Sequence, residues 1–127
     1  LSHLEIGELG EKLAQIWLTK RGWKVLWTNF RAKRGGEVDI VCRNRDILVF
    51  VEVKARTSLE WGRPMDAVDH EKQKLIIRGA TAWLTRLDIP VPYFRFDIVE
   101  VILEDGKVPK LTLVENAFQL PKDVRLG

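Results

Sequence analysis

Two short stretches carry residues whose types and spacing suit metal-assisted chemistry on a phosphate: Gly-Glu-Val-Asp-Ile-Val at 36–41 and Val-Phe-Val-Glu-Val-Lys-Ala-Arg at 49–56. Side chains alternate faces along a strand, so Glu52 and Lys54 share a face, as do Glu37 and Asp39. The turn between the stretches decides whether the pairs meet. A two-residue loop at Arg45-Asp46 sets Asn44 opposite Ile47 and therefore Asp39 opposite Glu52. A loop at Asn44-Arg45 moves the pair to a diagonal but keeps it on one face. Either register brings Asp39 and Glu52 within about 5–8 Å at Cβ.

Carboxylates this close repel by up to about 4 kcal/mol at an effective dielectric of 20. Partial burial among apolar strand residues adds several kcal/mol of desolvation per ion. A cation between them relieves both costs. Lys54 is one candidate, and it is also a fitting neighbour for a divalent ion. Hard carboxylate oxygens favour Mg2+ or Mn2+. An ion held by Asp39 and Glu52 would neutralise charge building on a phosphoryl oxygen and acidify a bound water. Lys54 would orient or help deprotonate the attacking water, or stabilise the transition state as a point charge. Glu11, on the polar side of the first helix, could add a ligand, and Gln73 on the second could hold water or phosphate. The plain alternative is a solvated Glu-x-Lys surface pair. Against it stand the apolar character of the strand, the Asp facing it and the order of elements.

Those elements follow from periodicity. Residues 4 to 20 read as a helix with Ile6, Leu9, Leu13, Ile16 and Trp17 on one apolar face, closed by Gly22. Residues 23 to 29 alternate as a strand with Trp23, Val25 and Trp27 on one side. A basic loop over 31 to 36 precedes two strands, 37 to 43 and 47 to 54, the second apolar enough to be covered on both faces. A loop over 57 to 64 leads to Asp69, a plausible N-cap for a helix over 70 to 87 whose buried stripe is Ile76, Ala80, Trp83, Leu84 and Leu87. After a proline-rich connection over 89 to 92 comes a strand over 94 to 103. The Asp105-Gly106 turn leads to a last strand near 111 to 114. The order is helix, three strands, helix, two strands: a mixed sheet flanked by helices.

Composition narrows the setting. The 127 residues fit one domain over 1–127, and 46% hydrophobic residues exclude a disordered chain. Cys42 is the sole cysteine, so neither an internal disulfide nor a cysteine-rich zinc site is expected. No apolar run reaches the roughly 20 residues a membrane helix needs, and the first residues lack a signal-peptide layout. A cytoplasmic protein with no membrane association is the expectation. The net charge of +3 is weak support for a nucleic-acid partner. Its distribution is more telling, since Arg31, Lys33, Arg34, Arg56 and Lys72 flank the proposed site as candidate phosphate contacts.

The α-β-β-β-α-β order, with an Asp and a Glu-x-Lys on its second and third strands, resembles the core of the PD-(D/E)XK nucleases. More closely the chain resembles the YraN family of small bacterial proteins, which are similar to archaeal Holliday-junction resolvases. The shared pieces are Gly7, Glu11 and Ala14, then Gly22, Asn29, GGEVDIV at 35–41 and VFVEVKAR at 49–56. Ala67-Val68, Lys72-Gln73, Trp83-Leu84, RFDIV at 95–99 and NAF at 116–118 complete the match, which spans about residues 5–118. The resemblance implies a restriction-endonuclease-like α/β (α+β) fold with an added C-terminal strand. It also implies Mg2+- or Mn2+-dependent cleavage of DNA by Glu11, Asp39, Glu52 and Lys54, with Gln73 as a further site residue. Asp39, Glu52 and Glu11 would be the metal ligands. Branched DNA is the implied substrate, and a two-fold homodimer would supply the paired cuts a symmetric junction needs. The alternative is a non-catalytic nucleic-acid-binding adaptor in a DNA-processing complex. An RNA nuclease on the same fold is a third reading, because nothing in the residues separates the two backbones.

Other reactive residues read as structural. Cys42 alternates with Ile40 and Val38 as a core thiol, and His3 and His70 lack partners. Trp17, Trp23, Trp27 and Trp83 are core by periodicity. Trp61 is expected to pack rather than to stack on an unpaired base.

Overall fold

The computed structural model describes residues 1–123. Helix α1 (His3–Lys20) is followed by strands β1 (Lys24–Arg31), β2 (Glu37–Asn44) and β3 (Ile47–Arg56). A short 3-10 turn (Pro64–Ala67) precedes helix α2 (His70–Arg86), and strands β4 (Phe94–Ile102) and β5 (Lys110–Phe118) follow. The strands form one five-stranded sheet in the order β1-β2-β3-β4-β5. All neighbours are antiparallel except β3 and β4, which run parallel because α2 carries the chain across between them. This is the expected mixed sheet with two helices, consistent with a restriction-endonuclease-like core. The last strand is longer than its apolar signal suggested, since its burial is patchy.

The helices cover opposite faces. Phe30, Val38, Val41, Phe50, Phe96 and Ile98 pack with Ile76, Ala80, Trp83 and Leu84 of α2. Ile40, Cys42, Val49, Val51, Val99 and Val101 pack with Ala14 and Leu18 of α1. Ser2 and Glu5 cap α1 reciprocally, and Asp69 caps α2 by accepting from the Lys72 N–H at 2.9 Å.

Three sequence expectations change. The buried stripe of α1 is Gly10, Ala14 and Leu18, while Leu9 and Ile16 are exposed, Ile16 at 55%. Small residues win because α1 lies close to the sheet: a Cβ on Gly10 would sit 2.7 Å from that of Ala55. In β1 the register shifts between Val25 and Trp27, so Trp27 leaves the face of Trp23 and Val25. It stands 47% exposed, edge-on to Trp83. Trp61 is 81% exposed and does not pack.

Helix α2 touches β2 backbone to backbone. A Cβ on Gly36 would overlap the Gly79 amide, and one on Gly79 would lie 2.7 Å from the Glu37 carbonyl carbon. The first contact involves only main chain, which cannot swing aside. Gly36→Ala should therefore push α2 off the sheet and cost about 1–3 kcal/mol. Urea unfolding measures this, and an unchanged midpoint would show that the two elements slide apart freely.

Candidate metal and phosphate site

The hairpin adopts the first of the two registers, with Asn44 opposite Ile47 and Ile40 opposite Val51. Arg45 takes a left-handed conformation to make the two-residue turn, φ 56°. The β2–β3 ladder stops at Ile40, and Val38 and Ile40 fall on opposite faces of the sheet. At this irregularity the Asp39 carboxylate accepts from the Val53 N–H at 2.9 Å, in place of a backbone carbonyl. Glu52 and Lys54 share the α2-facing side of β3 with Leu48 and Phe50.

Glu52 is only 1% exposed. Its Oε2 meets the Lys54 ammonium at 3.5 Å and the Lys72 ammonium at 3.3 Å. Its Oε1 is buried without a hydrogen-bond partner. Burial, reinforced by the adjacent Asp39 carboxylate, pushes Glu52 up to about 8, against the pull of the two lysines. Two ionised carboxylates cannot donate to each other, so the pair is satisfied by sharing a proton or by a cation. Burial and then the charge of Asp39 also raise Glu11, which approaches from α1 beside Asn29 and Arg31. Asp39 is thus flanked by acids from both layers.

Glu11 neighbours Asp39, Asp39 neighbours Glu52 and Glu52 neighbours Lys54, and two further residues join them. Lys72, expected among the phosphate contacts, instead bridges Glu52 and Glu37. Glu37, which composition alone does not distinguish, also receives Arg31 at 3.4 Å. The hydrogen bond from Lys72 is the main cause holding Glu37 below the usual carboxylate range. Burial pulls Lys72 down, but its bonds to the two glutamates outweigh it and leave the amine raised. Gln73 turns its amide to the Val68 carbonyl at 3.2 Å, so it braces the start of α2. Arg56 ends β3, and Lys33 and Arg34 sit at the tip of the turn between β1 and β2.

A further residue pair was not legible. Arg63 grips the buried Glu100 through two hydrogen bonds, at 2.8 and 3.0 Å, and Glu100 also accepts from the Met65 N–H at 3.0 Å. Glu100 is the register partner of Lys54 across β3 and β4. The Glu100 oxygens are committed to Arg63 and Met65, and Lys54 pairs with Glu52 instead.

Among the described residues no group of three or more His, Cys, Asp or Glu stands ready to hold a metal ion. Mg2+ does not need one: it keeps several waters and takes one or two carboxylates. The unpartnered Oε1 of Glu52 beside Asp39 fits such an ion, with Glu11 in the field of Asp39. Cys42 is a buried thiol pushed up to about 12 by burial, as befits a core residue. His3 and His70 open the two helices and are exposed.

The raised Glu52 gives a signed prediction for metal-free protein. The folded state holds a proton that the unfolded chain releases near 4.5, so stability falls as pH rises from about 4.5 to about 8. Glu52→Gln removes that slope. In chelator its melting temperature should exceed the parent's by several degrees at pH 8, the gap closing near pH 4.5. A gap independent of pH would place the titration elsewhere.

Residues 10–101 match the model of the uncharacterised protein family UPF0102. A UPF0102 protein of Trichlorobacter lovleyi is 45% identical over 116 residues, covering 91% of each chain. One from Acetivibrio thermocellus is 43% identical over 116 residues, 88% of this chain and 89% of its own. Another, from Chlorobium phaeobacteroides, is 41% identical over 119 residues, 90% and 94% of the respective chains. With the family match spanning the helix, hairpin and crossover that build the site, the chain belongs to UPF0102, the YraN family.

Proposed function

We propose that the protein is a divalent-metal-dependent nuclease that hydrolyses phosphodiester bonds in DNA, with branched, Holliday-junction-like DNA as its substrate. The observation that carries this reading is Glu52: a buried carboxylate beside Asp39, with one oxygen between two lysines and the other without a partner. A fold that places charge this way needs a cation or a proton there, and phosphate chemistry uses both. Asp39 and Glu52 would hold Mg2+ or Mn2+, with Glu11 as a further ligand. When bound, such an ion offsets charge on the phosphoryl oxygens and acidifies water.

The side chains have distinct tasks. Asp39 is pinned by the Val53 N–H, so it holds its place without reorganisation during reaction. Lys54 is part-exposed beside Glu52 and can reach a non-bridging phosphoryl oxygen or hold the attacking water. The attacking water gives up a proton to solvent as its oxygen forms the new bond to phosphorus, the bond to the leaving sugar oxygen breaks, and that oxygen takes up a proton from solvent. Lys72 stays with Glu37 and Glu52 and keeps the buried carboxylate oriented.

A second reading, a nucleic-acid-binding adaptor without catalysis, draws on the two lysines that already satisfy Glu52 Oε2. Cleavage of labelled flaps, four-way junctions, duplexes, single strands and RNA with Mg2+ or Mn2+ separates the two. Lys54→Ala should lower cleavage at least about a hundredfold while sparing DNA binding. Asp39→Asn should weaken Mn2+ binding in calorimetry. Full cleavage by Lys54→Ala would remove Lys54 from the chemistry, and no Mn2+ binding at millimolar metal would favour the adaptor.

A further inference from the structure

Beside the carboxylate site runs a groove of about 1460 Å³ between the β1–β2 turn and the outer face of α2. Neither Asp39 nor Glu52 lines it. Arg31 and Gly36 do, and they adjoin Glu37, so the groove leads away from the site along α2. The turn and α2 are held at a set distance. The turn is closed by the Ala32 N–H donating to the Gly36 carbonyl at 2.8 Å, and the Gly36–Gly79 contact sets the spacing to α2.

The lining has two parts. Phe30, Ile77 and Ala82 form an apolar floor. The rims carry Lys33 and Arg34 on one side and Lys74, Arg78 and Arg86 on the other, with Asp123 the one acid of the described lining. Among the described residues Lys33, Arg34, Arg78 and Arg86 form no ion pair. Arg86 lies over the rings of Trp27, Phe30 and Trp83 at 5.2–5.5 Å, which orders it at the groove's end beside the exposed Trp27. Unpaired like charges facing one another across an apolar floor repel unless an anion bridges them.

We infer that this groove binds an unpaired nucleic-acid strand, its phosphates on the cationic rims and its base faces on the apolar floor, and leads that strand to or from the carboxylate site. The volume exceeds the roughly 300–1,000 Å³ of small-molecule pockets, so a polymer segment fits better than a mononucleotide. An apolar floor discriminates between forms of nucleic acid. A duplex turns its base faces inward onto one another and offers only phosphates, whereas an unpaired strand offers both. The inference rests on the nucleic-acid reading above but not on catalysis.

The test is fluorescence anisotropy with labelled oligothymidine of about a dozen nucleotides and a duplex of equal length, in chelator so that nothing is cut. Parent protein should bind the single strand at least tenfold tighter. Lys74→Ala/Arg78→Ala should weaken that binding at least tenfold. It should also flatten the log-affinity against log-salt slope by about 1.4, two contacts at roughly 0.7 each. Lys74→Arg/Arg78→Lys should restore the slope. Lys33→Ala/Arg34→Ala tests the opposite rim, should the first variant lose its circular-dichroism melt. Equal affinity for the duplex, or parental binding by both alanine variants, overturns the inference. If the parent prefers the single strand and the alanine variants weaken it as expected, while no metal supports cleavage, the nuclease reading fails and the groove stands.

Discussion

Asp39 stands in for a backbone carbonyl. Where β2 and β3 part, the Val53 N–H would be left buried without an acceptor, at a cost of about 1–3 kcal/mol. The Asp39 carboxylate supplies that acceptor, and in doing so is fixed beside Glu52, on the strand it bonds to. The site is therefore not an ornament on a finished sheet. The same interruption that opens the ladder sets the acid in place, so the spacing of the two carboxylates is as firm as the strands themselves.

Holding two acids together in an apolar setting needs positive charge, and the fold draws it from separate elements. Lys54 comes from the same strand, and Lys72 from α2, whose closeness depends on two glycines meeting main chain to main chain. Arg63 acts at a distance by occupying Glu100, which keeps Lys54 from a competing acid in the neighbouring strand. Glu37 then ties Lys72 and Arg31 into one chain of charges. This chain leads from a buried carboxylate to a basic groove, so the interior site and the outer surface share one electrostatic design.

How much of this could be read beforehand follows from the range of each contact. Asp39, Glu52 and Lys54 were legible because a two-residue hairpin turn and strand alternation are local rules. The apolar run of β3 and the cap at Asp69 were legible for the same reason. Lys72 on Glu52, Arg63 on Glu100 and Gly36 on Gly79 were not, since each joins segments whose docking no periodicity encodes. Strand irregularities did the rest. The shift after Val25 turned Trp27 outward, and small residues took the centre of the α1 contact, with Leu13 and Trp17 packed beside it and Leu9 and Ile16 exposed, because close approach to Ala55 admits only glycine at position 10.

The sheet contains the same device twice. Across the shifted register of β4 and β5, the wholly buried Asp97 accepts from the Asn116 N–H at 2.9 Å, as Asp39 does from Val53. There, however, Arg95 donates to both Asp97 oxygens at 3.0 and 3.2 Å and lies over the Trp23 ring. One aspartate is sealed by a guanidinium and serves as masonry; the other, among the described residues, forms no ion pair and has Glu11 and Glu52 as acidic neighbours. Two similar joints thus part company on a single neighbour, and on the proposed reading it is the company an aspartate keeps, rather than the joint it mends, that would separate a mortar residue from a reactive one in this molecule.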